Sequence, residues 1–98
     1  MYEVIIPLSV RELILEYGKY IENQFGFPEI ADDVIDRIFK VIYSLEQNPQ
    51  RGSHRRVGKY ANTEFRQVFA GSYIIVYKVD EAKHRVHINT VRHMLENF

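Results

Sequence analysis

The sequence predicts an α+β fold, a two-layer sandwich in which a helical hairpin packs on an antiparallel meander sheet. Three observations lead to this prediction. A β-branched apolar run opens the chain, two stretches with apolar residues at helical spacing follow, and three strand-like runs joined by short turns come last. Because each element must bury its apolar face, the order strand–helix–helix–three strands indicates a sheet covered on one face by the two helices.

The first strand and the first helix are predicted from two adjacent signals. The run Tyr2–Leu8 is β-branched and apolar, and Pro7 near its end suits a strand terminus or an edge. Ser9 and Glu12 have the spacing of a capping box, which predicts a helix that begins at Ser9. Apolar residues then recur at helical spacing up to a glycine of the kind that ends helices: Val10, Leu13, Ile14, Tyr17, Ile21, Phe25 and then Gly26.

A second helix is predicted to begin at Pro28 and to end at Asn48-Pro49. Proline is favoured in the first turn of a helix, and the acidic residues that follow it suit the positive end of the helix dipole. Its apolar stripe consists of Ile30, Val34, Ile38, Val41, Ile42 and Leu45. Since only about two or three residues separate the helices, we expect an antiparallel hairpin.

The second half of the chain is predicted to form a long loop and three antiparallel strands. Residues 48–63 form the loop. The strands are expected at Glu64–Ala70, Tyr73–Val79 and Arg85–Val91, joined by a hairpin turn at Gly71-Ser72 and a polar turn at Asp80–His84. The strand Tyr73–Val79 is apolar at nearly every position, which is typical of a strand at the centre of its sheet.

Length and composition restrict the classes of protein that fit. A chain of 98 residues with 46% hydrophobic residues is expected to form a single domain over residues 1–98 rather than a disordered chain. It has no cysteine, no apolar run that approaches roughly 18 residues and no readable secretory signal. We therefore expect a cytoplasmic protein without a membrane span.

The formal net charge is zero, but the charges are segregated along the chain. Residues 1–50 carry nine acidic and four basic residues, net −5, and residues 51–98 carry nine basic and four acidic residues, net +5. A neutral chain does not coat nucleic acid by bulk charge. The basic half either forms a local surface for a partner or reflects chance segregation on two solvated faces.

Neither a metal site nor a cofactor is expected. The four histidines, His54, His84, His87 and His93, lack the spacing of metal ligands, and no phosphate-binding loop or serine-nucleophile motif is present.

A set of basic side chains is the remaining candidate for a functional site. It consists of Arg55, Arg56 and Lys59 in the loop, Arg66 on the strand after it, and Arg92 and His93 beyond the last strand. Arg66 is either paired with a helix acid or part of one positive surface shared with the rest of the set. Such a surface could stabilise a phosphate, with His93 as general acid or base, or it could bind an acidic protein segment.

Four short segments add to the order of the elements. They are the helix exit Leu45-x-x-x-Pro49-x-x-Gly52, the run Phe65–Val68, the run Tyr73–Val79, and Val86-His87-Ile88-x-x-Val91-Arg92-His93. With these segments the chain resembles the RelE/ParE superfamily, the toxins of type II toxin–antitoxin systems. Arg66, Tyr73–Tyr77 and His93 resemble the ParE-like branch, whereas RelE-like ribonucleases usually carry a basic residue where this chain has Ile74.

The resemblance to the ParE-like branch implies a toxin that binds DNA gyrase without catalysis. It also implies a cognate antitoxin, with which the chain could form a hetero-oligomer. Target binding would then involve Arg55, Arg56, Lys59, Arg66, Arg92 and His93. Because Arg55 and Arg56 lie in a loop, they are expected to be dispensable for the fold. Antitoxin binding would involve Val10, Leu13, Ile14, Tyr17 and Tyr73, with an acidic and apolar tail in a groove between helix and sheet.

Two alternatives stay open. The first is a RelE-like, ribosome-dependent messenger-RNA endonuclease that needs no metal. In that case His93, Arg66 and Arg92 would be the catalytic residues, with a contribution from His54. The second is an inactive member of the superfamily that only binds partner proteins or DNA.

Overall fold

The computed structural model describes residues 1–62 and 64–98, and it contains two helices packed on a five-stranded sheet. In chain order the elements are β1 (Glu3–Ile5), α1 (Leu8–Phe25), α2 (Pro28–Ser44), a 3₁₀ turn (Pro49–Arg51), β2 (Ser53–His54), β3 (Phe65–Ala70), β4 (Tyr73–Asp80) and β5 (Arg85–His93). The strand order is β1-β5-β4-β3-β2, with β1 parallel to β5 and the other neighbours antiparallel. The predicted α+β class, with a helical hairpin on a sheet built around an antiparallel meander, is confirmed.

Strand β4 is the centre of the sheet because it pairs with β3 on one side and with β5 on the other. Its residues from Tyr73 to Tyr77 are all buried, which explains their nearly continuous apolar sequence. A bulge interrupts the pairing with β5. Val76 lies opposite Thr90 and Tyr77 lies opposite Ile88, so Asn89 has no partner across the strands.

The two helices form the predicted hairpin and cover one face of the sheet. Helix α1 packs on β5, whereas α2 packs on β3 and β4. The chain turns between them at Gly26, whose φ of 72° ends α1 as the sequence predicted. The helices and the sheet share one core, whose fully buried members include Ile14, Ile38, Ile42 and Ile75. Neither helix is long and apolar enough to cross a membrane.

Helix α1 begins at Leu8, and the predicted capping box does not form. Pro7 occupies the cap position, and its carbonyl accepts hydrogen bonds from the N–H groups of Val10 (3.0 Å) and Arg11 (3.1 Å). Ser9 therefore lies inside the first turn, and no side chain caps the helix. Because Pro7 already caps the helix, β1 ends at Ile5 and is shorter than the predicted strand.

The segment predicted as a loop between α2 and β3 contains a further strand. Helix α2 ends at Ser44, earlier than predicted, and a turn over residues 45–47 leads to the 3₁₀ turn. Strand β2 then pairs antiparallel with β3 and forms one edge of the sheet. A strand of two residues has no periodicity, so its sequence alone could not predict it.

Tyr77 ties this edge of the sheet to the core. Its hydroxyl donates a hydrogen bond to the Pro49 carbonyl (2.6 Å) and accepts one from the Gly52 N–H (3.0 Å). Burial raises the pKa of the Tyr77 hydroxyl, and the Gly52 N–H and two nearby arginines lower it by less. The hydroxyl therefore stays protonated and keeps both hydrogen bonds at neutral pH.

Candidate functional site

The two faces of the sheet place the predicted site residues in different environments. Along β4, Tyr73, Ile75 and Tyr77 point towards the helices, and Ile74 and Val76 point away from them. We call the side away from the helices the outer face. Its residues on the three long strands include Phe65, Gln67, Phe69, Ile74, Val76, Thr90 and Arg92.

His93 lies on the helix side of the sheet and is the last residue of β5, rather than a residue beyond it. It lies opposite Tyr73, and the two rings meet edge to face with centroids 5.2 Å apart. Tyr17 of α1 packs against the same Tyr73 ring at 5.0 Å. The His93 Nδ1 atom accepts a hydrogen bond from the Leu95 N–H (3.2 Å), so one ring nitrogen is already engaged by the backbone.

Arg92 precedes His93 in β5, and its side chain therefore points to the opposite, outer face. Its Nε donates a hydrogen bond to Thr90 Oγ1 (3.1 Å), and its Nη1 lies 3.5 Å from a carboxylate oxygen of Glu96. These two contacts hold the guanidinium beside β5 and partly neutralise its charge.

Arg66 lies on the helix side, near the edge strand β2. Its Nη1 donates hydrogen bonds to the backbone carbonyls of Gln50 (3.1 Å) and Gly52 (2.7 Å). These carbonyls take the place of the helix acid that was one of the two interpretations of Arg66. His54 lies opposite Arg66 in the register, and its Nδ1 is 2.8 Å from the Phe65 carbonyl oxygen.

The three side chains considered for ribonuclease chemistry do not come together. Arg66 faces Tyr77 and His93 faces Tyr73, four residues apart along β4, which is about 13 Å at the rise of a β-strand. Arg92 points to the other face of the sheet. The described residues also contain no group of three histidine or acidic side chains that could hold a metal ion.

The basic loop contains side chains that point outwards and one that points inwards. Arg56 and Lys59 are exposed. Arg55 is half-buried, and its Nη1 and Nη2 donate hydrogen bonds to Gln67 Oε1 (3.0 Å) and to the Phe98 carbonyl (3.3 Å). Its guanidinium carbon lies 4.0 Å from the centre of the Phe98 ring. The sequence analysis expected Arg55 and Arg56 to be dispensable for the fold, and these contacts argue against that expectation for Arg55.

The segment of residues 94–98 packs back on the sheet after β5. The Met94 N–H donates a hydrogen bond to the Ser72 carbonyl (2.8 Å). One carboxylate oxygen of Glu96 accepts a hydrogen bond from the Tyr17 hydroxyl (2.6 Å), and the other faces Arg92. Glu96 thereby connects helix α1 to the outer face across the end of β5.

The protonation states of Tyr17 and Glu96 follow from their contacts. Burial raises the pKa of the Glu96 carboxyl, but the hydrogen bonds from Tyr17 and the His93 N–H and the charge of Arg92 outweigh it, and the pKa is lower than usual. Burial and the hydrogen bond to Glu96 raise the pKa of Tyr17 well above its usual value. At neutral pH a protonated phenol therefore donates to an ionised carboxylate.

A groove of about 550 Å³ lies between α1 and the end of β5. It is lined by Leu13, Glu16, Tyr17, Tyr20, Tyr73, His93, Leu95 and Glu96. Three of the residues that the sequence assigned to antitoxin binding, Leu13, Tyr17 and Tyr73, line this groove. Val10 and Ile14 do not, since their exposed fractions are 3% and 0% and they belong to the core beneath it.

Four residues of the groove, Glu16, Tyr20, Leu95 and Glu96, were missed by the sequence analysis. Glu16 lies one turn after Leu13 on the same helix, so helical spacing could have placed it beside the groove. Tyr20 had a readable signal, because it is an exposed aromatic residue one turn after Tyr17 on the same helix. Leu95 and Glu96 had none, because the residues after the last predicted strand show no periodicity and their position depends on contacts with α1 and Ser72.

Comparison with known families gives a match over nearly the whole chain. The sequence model of the family described as the ParE toxin of type II toxin–antitoxin systems, parDE, matches residues 4–98. No curated protein matches the chain.

Solved structures with a similar fold come from toxin–antitoxin complexes. The chromosomal ParDE system of P. aeruginosa aligns with a TM-score of 0.76 at 14% identity, over 95% of this chain and 96% of that one. The RelBE2 complex of Mycobacterium tuberculosis aligns with a TM-score of 0.67 at 18% identity, over 94% and 96%. The archaeal RelE–RelB complex of Pyrococcus horikoshii OT3 aligns with a TM-score of 0.62 at 13% identity, over 97% of both chains. At these identities the structural matches establish the fold.

Proposed function

The chain belongs to the ParE toxin family of type II toxin–antitoxin systems, and on this premise we propose that it inhibits growth by binding DNA gyrase and that a cognate antitoxin neutralises it. The gyrase target follows from the resemblance to the ParE-like branch. The rival is a RelE-like ribonuclease that acts on ribosome-bound messenger RNA. The two differ in whether the toxin needs a catalytic centre of its own.

The separation of His93, Arg92 and Arg66 supports a binding mechanism. Cleavage of RNA without a metal needs a proton carrier and charge stabilisers around one phosphate, each within about 2.6–3.2 Å of the atom it serves. Here Arg66 is bonded to backbone carbonyls near the β2 edge, and Arg92 lies on the face opposite His93. A single phosphate could not contact all three without rearrangement of the sheet.

The groove beside α1 supports an antitoxin partner. The solved structures with a similar fold are described as toxin–antitoxin complexes. In this chain the groove exposes apolar surface from Leu13, Tyr20 and Leu95, of which Leu95 is 86% exposed. We assign the antitoxin contact to this groove, with Val10 and Ile14 supporting it from the core rather than touching the partner.

The two targets are separated by assaying one preparation of the protein twice. We expect the wild type to inhibit supercoiling by gyrase and to leave ribosome-bound message intact. His93→Ala should retain most of the gyrase inhibition, since His93 packs on Tyr73 and the proposal gives it no catalytic role. Codon-position cleavage by the wild type that is lost in His93→Ala would establish the ribonuclease instead, and failure in both assays would indicate an inactive member.

The antitoxin contact is tested with the product of the adjacent gene and a matched pair of leucine variants. Leu95→Asp places a charge in the groove and should weaken antitoxin binding about tenfold or more. Leu8→Asp changes a leucine that is 71% exposed and lies outside the groove, so it should bind as the wild type does. Equal affinities of the two variants would remove the groove as the antitoxin site.

A further inference from the structure

The turn that follows β2 has a partly buried residue at each end and exposed residues between them. Arg55 and Tyr60 are partly buried, whereas the residues between them are exposed, including Arg56, Val57 and Lys59. Val57 has an exposed fraction of 72%. We call residues 56–59 the presented turn.

The inner side of the turn is fixed by Phe98. The Arg55 guanidinium stacks on the Phe98 ring at 4.0 Å and also bonds the Phe98 carbonyl and the Gln67 side chain. On the far side of the turn, the Tyr60 ring packs against the rings of Phe65 (5.1 Å) and Phe98 (6.4 Å). Both ends of the presented turn are therefore anchored on the outer face of the sheet.

Gly58 allows the turn to come this close to Phe98. Its φ is 85°, a conformation that favours glycine, and a Cβ atom there would overlap the backbone oxygen of Phe98. The turn therefore rests on Phe98 through its glycine backbone, and the side chains on either side of the glycine project outwards.

The charges of the presented turn are available to a partner. Lys78, Arg85 and Arg92 are paired with Glu64, Glu3 and Glu96 respectively. Within residues 1–62 and 64–98, Arg56 and Lys59 form no such ion pair. The Lys59 ammonium lies 5.6 Å from the centre of the Tyr60 ring. Among the described residues the turn thus offers two cations without an acidic partner and an exposed valine between them.

We propose that the presented turn contacts an acidic and partly apolar protein surface on the target, and that Arg55 and Phe98 position it without touching the target. This inference rests on the proposed function and specifies how the toxin would recognise its target. The exposed valine favours a protein surface, because apolar side chains of a partner can bury it more completely than a sugar–phosphate backbone can. The zero net charge of the chain likewise argues against binding to nucleic acid through bulk charge.

The first test exchanges the charges of the turn. Arg56→Glu with Lys59→Glu should weaken binding to gyrase about tenfold or more and should abolish most growth inhibition. Lys19→Glu with Lys40→Glu makes the same charge change at exposed helix positions and should leave both properties near the wild type. Val57→Ala should weaken binding severalfold without changing its salt dependence, because it removes only apolar contact.

Growth inhibition keeps this test separate from the identity of the target. If the turn variant loses toxicity while the wild type binds no gyrase, the gyrase assignment fails and the contact surface stands. If the wild type binds gyrase and the turn variant binds equally well, the contact surface fails and the gyrase assignment stands. If the wild type binds a DNA duplex through the same turn as tightly as it binds gyrase, the protein-surface proposal is overturned.

The positioning role of Arg55 and Phe98 is tested by a double-mutant cycle in which target binding is measured at several salt concentrations. Arg55→Gln and Phe98→Ala should each lower the affinity for the target, and the double variant should lose no more than the larger single loss, because both remove the same anchor. Neither should change the salt dependence of binding, whereas Arg56→Ala with Lys59→Ala should reduce it. Additive losses, or a lower salt dependence in Arg55→Gln, would show that Arg55 touches the target itself.

Discussion

The two faces of this sheet are covered in different ways. On the helix side, two long amphipathic helices place a continuous aliphatic core on β4, with Ile14, Ile38 and Ile75 fully buried. On the outer side, two chain segments without regular structure do the covering, and they are held by Arg55 and Glu96. The helix side therefore carries the stability of the fold and the groove beside α1, and the outer side carries the presented turn.

The difference lies in what each contact depends on. Burial of an aliphatic side chain is non-directional and tolerates small movements of the chain. We call the two segments on the outer side, residues 55–62 and 94–98, the outer cover. It depends on a few directional contacts, such as the Arg55 guanidinium on Phe98 and the Glu96 carboxylate between Tyr17 and Arg92. Loss of one such contact should release a segment while leaving the core folded.

The largest expected effect is a core truncation on the helix side. Ile38→Ala removes a side chain with 0% exposure and should lower the free energy of unfolding by about 2–5 kcal/mol. Ile30→Ala on the same helix removes an isoleucine that is 42% exposed and should cost much less. Denaturant unfolding of both variants checks the pair. Equal costs would mean that the helix side is not the main store of stability.

The helix side was also the part that the sequence could predict. The stripes of both helices and the apolar run Tyr73–Val79 follow simple periods, and these periods arise from burial of one face. The glycine end of α1 at Gly26 likewise follows from local backbone preference. These features gave the fold class and the placement of Tyr17 and Tyr73 beside the groove.

The outer side and the β2 edge could not be predicted in the same way. Arg55 and Phe98 are separated by 43 residues, and their contact shows in no local pattern. Arg66 bonds backbone carbonyls, which every residue carries, so its partners leave no trace in the sequence. Strand β2 has only two residues and exists because β3 offers it an edge. The roles of Arg56, Lys59 and His93 towards a target remain predictions.

The second expected effect concerns the link between the core and the β2 edge. Tyr77→Phe leaves the Pro49 carbonyl and the Gly52 N–H without their buried partner, and it should cost about 1–3 kcal/mol. Tyr43→Phe is the control, because the Tyr43 hydroxyl is exposed and only accepts a long contact of 3.4 Å from Arg11. Thermal unfolding should separate the two variants. A Tyr77→Phe protein as stable as Tyr43→Phe would contradict this role.

The third effect compares Gly58, which lies in the outer cover, with Gly71, which lies outside it and has similar backbone strain. Gly58→Ala and Gly71→Ala both place alanine at positive φ, 85° and 60°, which costs about 1–2 kcal/mol. Only the alanine at position 58 also meets the backbone of Phe98. Limited proteolysis within residues 55–62 should therefore accelerate in Gly58→Ala and not in Gly71→Ala. Equal cleavage of both would show that Phe98 does not hold the turn.

The fourth effect is a pH dependence of the outer cover. Because the pKa of Glu96 is lowered in the folded protein, its contribution is fully present above the ordinary value of 4.5 and is lost as the pH falls through the lower folded value. The protection factor of the Met94 N–H, which relates its exchange rate to the intrinsic amide rate at the same pH, should fall in that range. Glu96→Gln should show faster exchange already at neutral pH, whereas Glu22→Gln, an exposed change on α1, should not. A protection factor that is independent of pH in the wild type would contradict the role of Glu96 as the bridge.

The smallest expected effect lies at the start of α1, at a position that belongs neither to the aliphatic core nor to the outer cover. A serine that caps a helix typically contributes about 1 kcal/mol, which is lost on substitution by alanine. In this chain Pro7 occupies the cap position and no side chain bonds the first turn, so Ser9→Ala should leave the free energy of unfolding nearly unchanged. Glu12→Gln should be equally silent, because the reciprocal half of the box is absent as well. A loss of about 1 kcal/mol in Ser9→Ala, measured by denaturant unfolding, would mean that the capping box forms in solution and that α1 begins at Ser9, as the sequence pattern predicted.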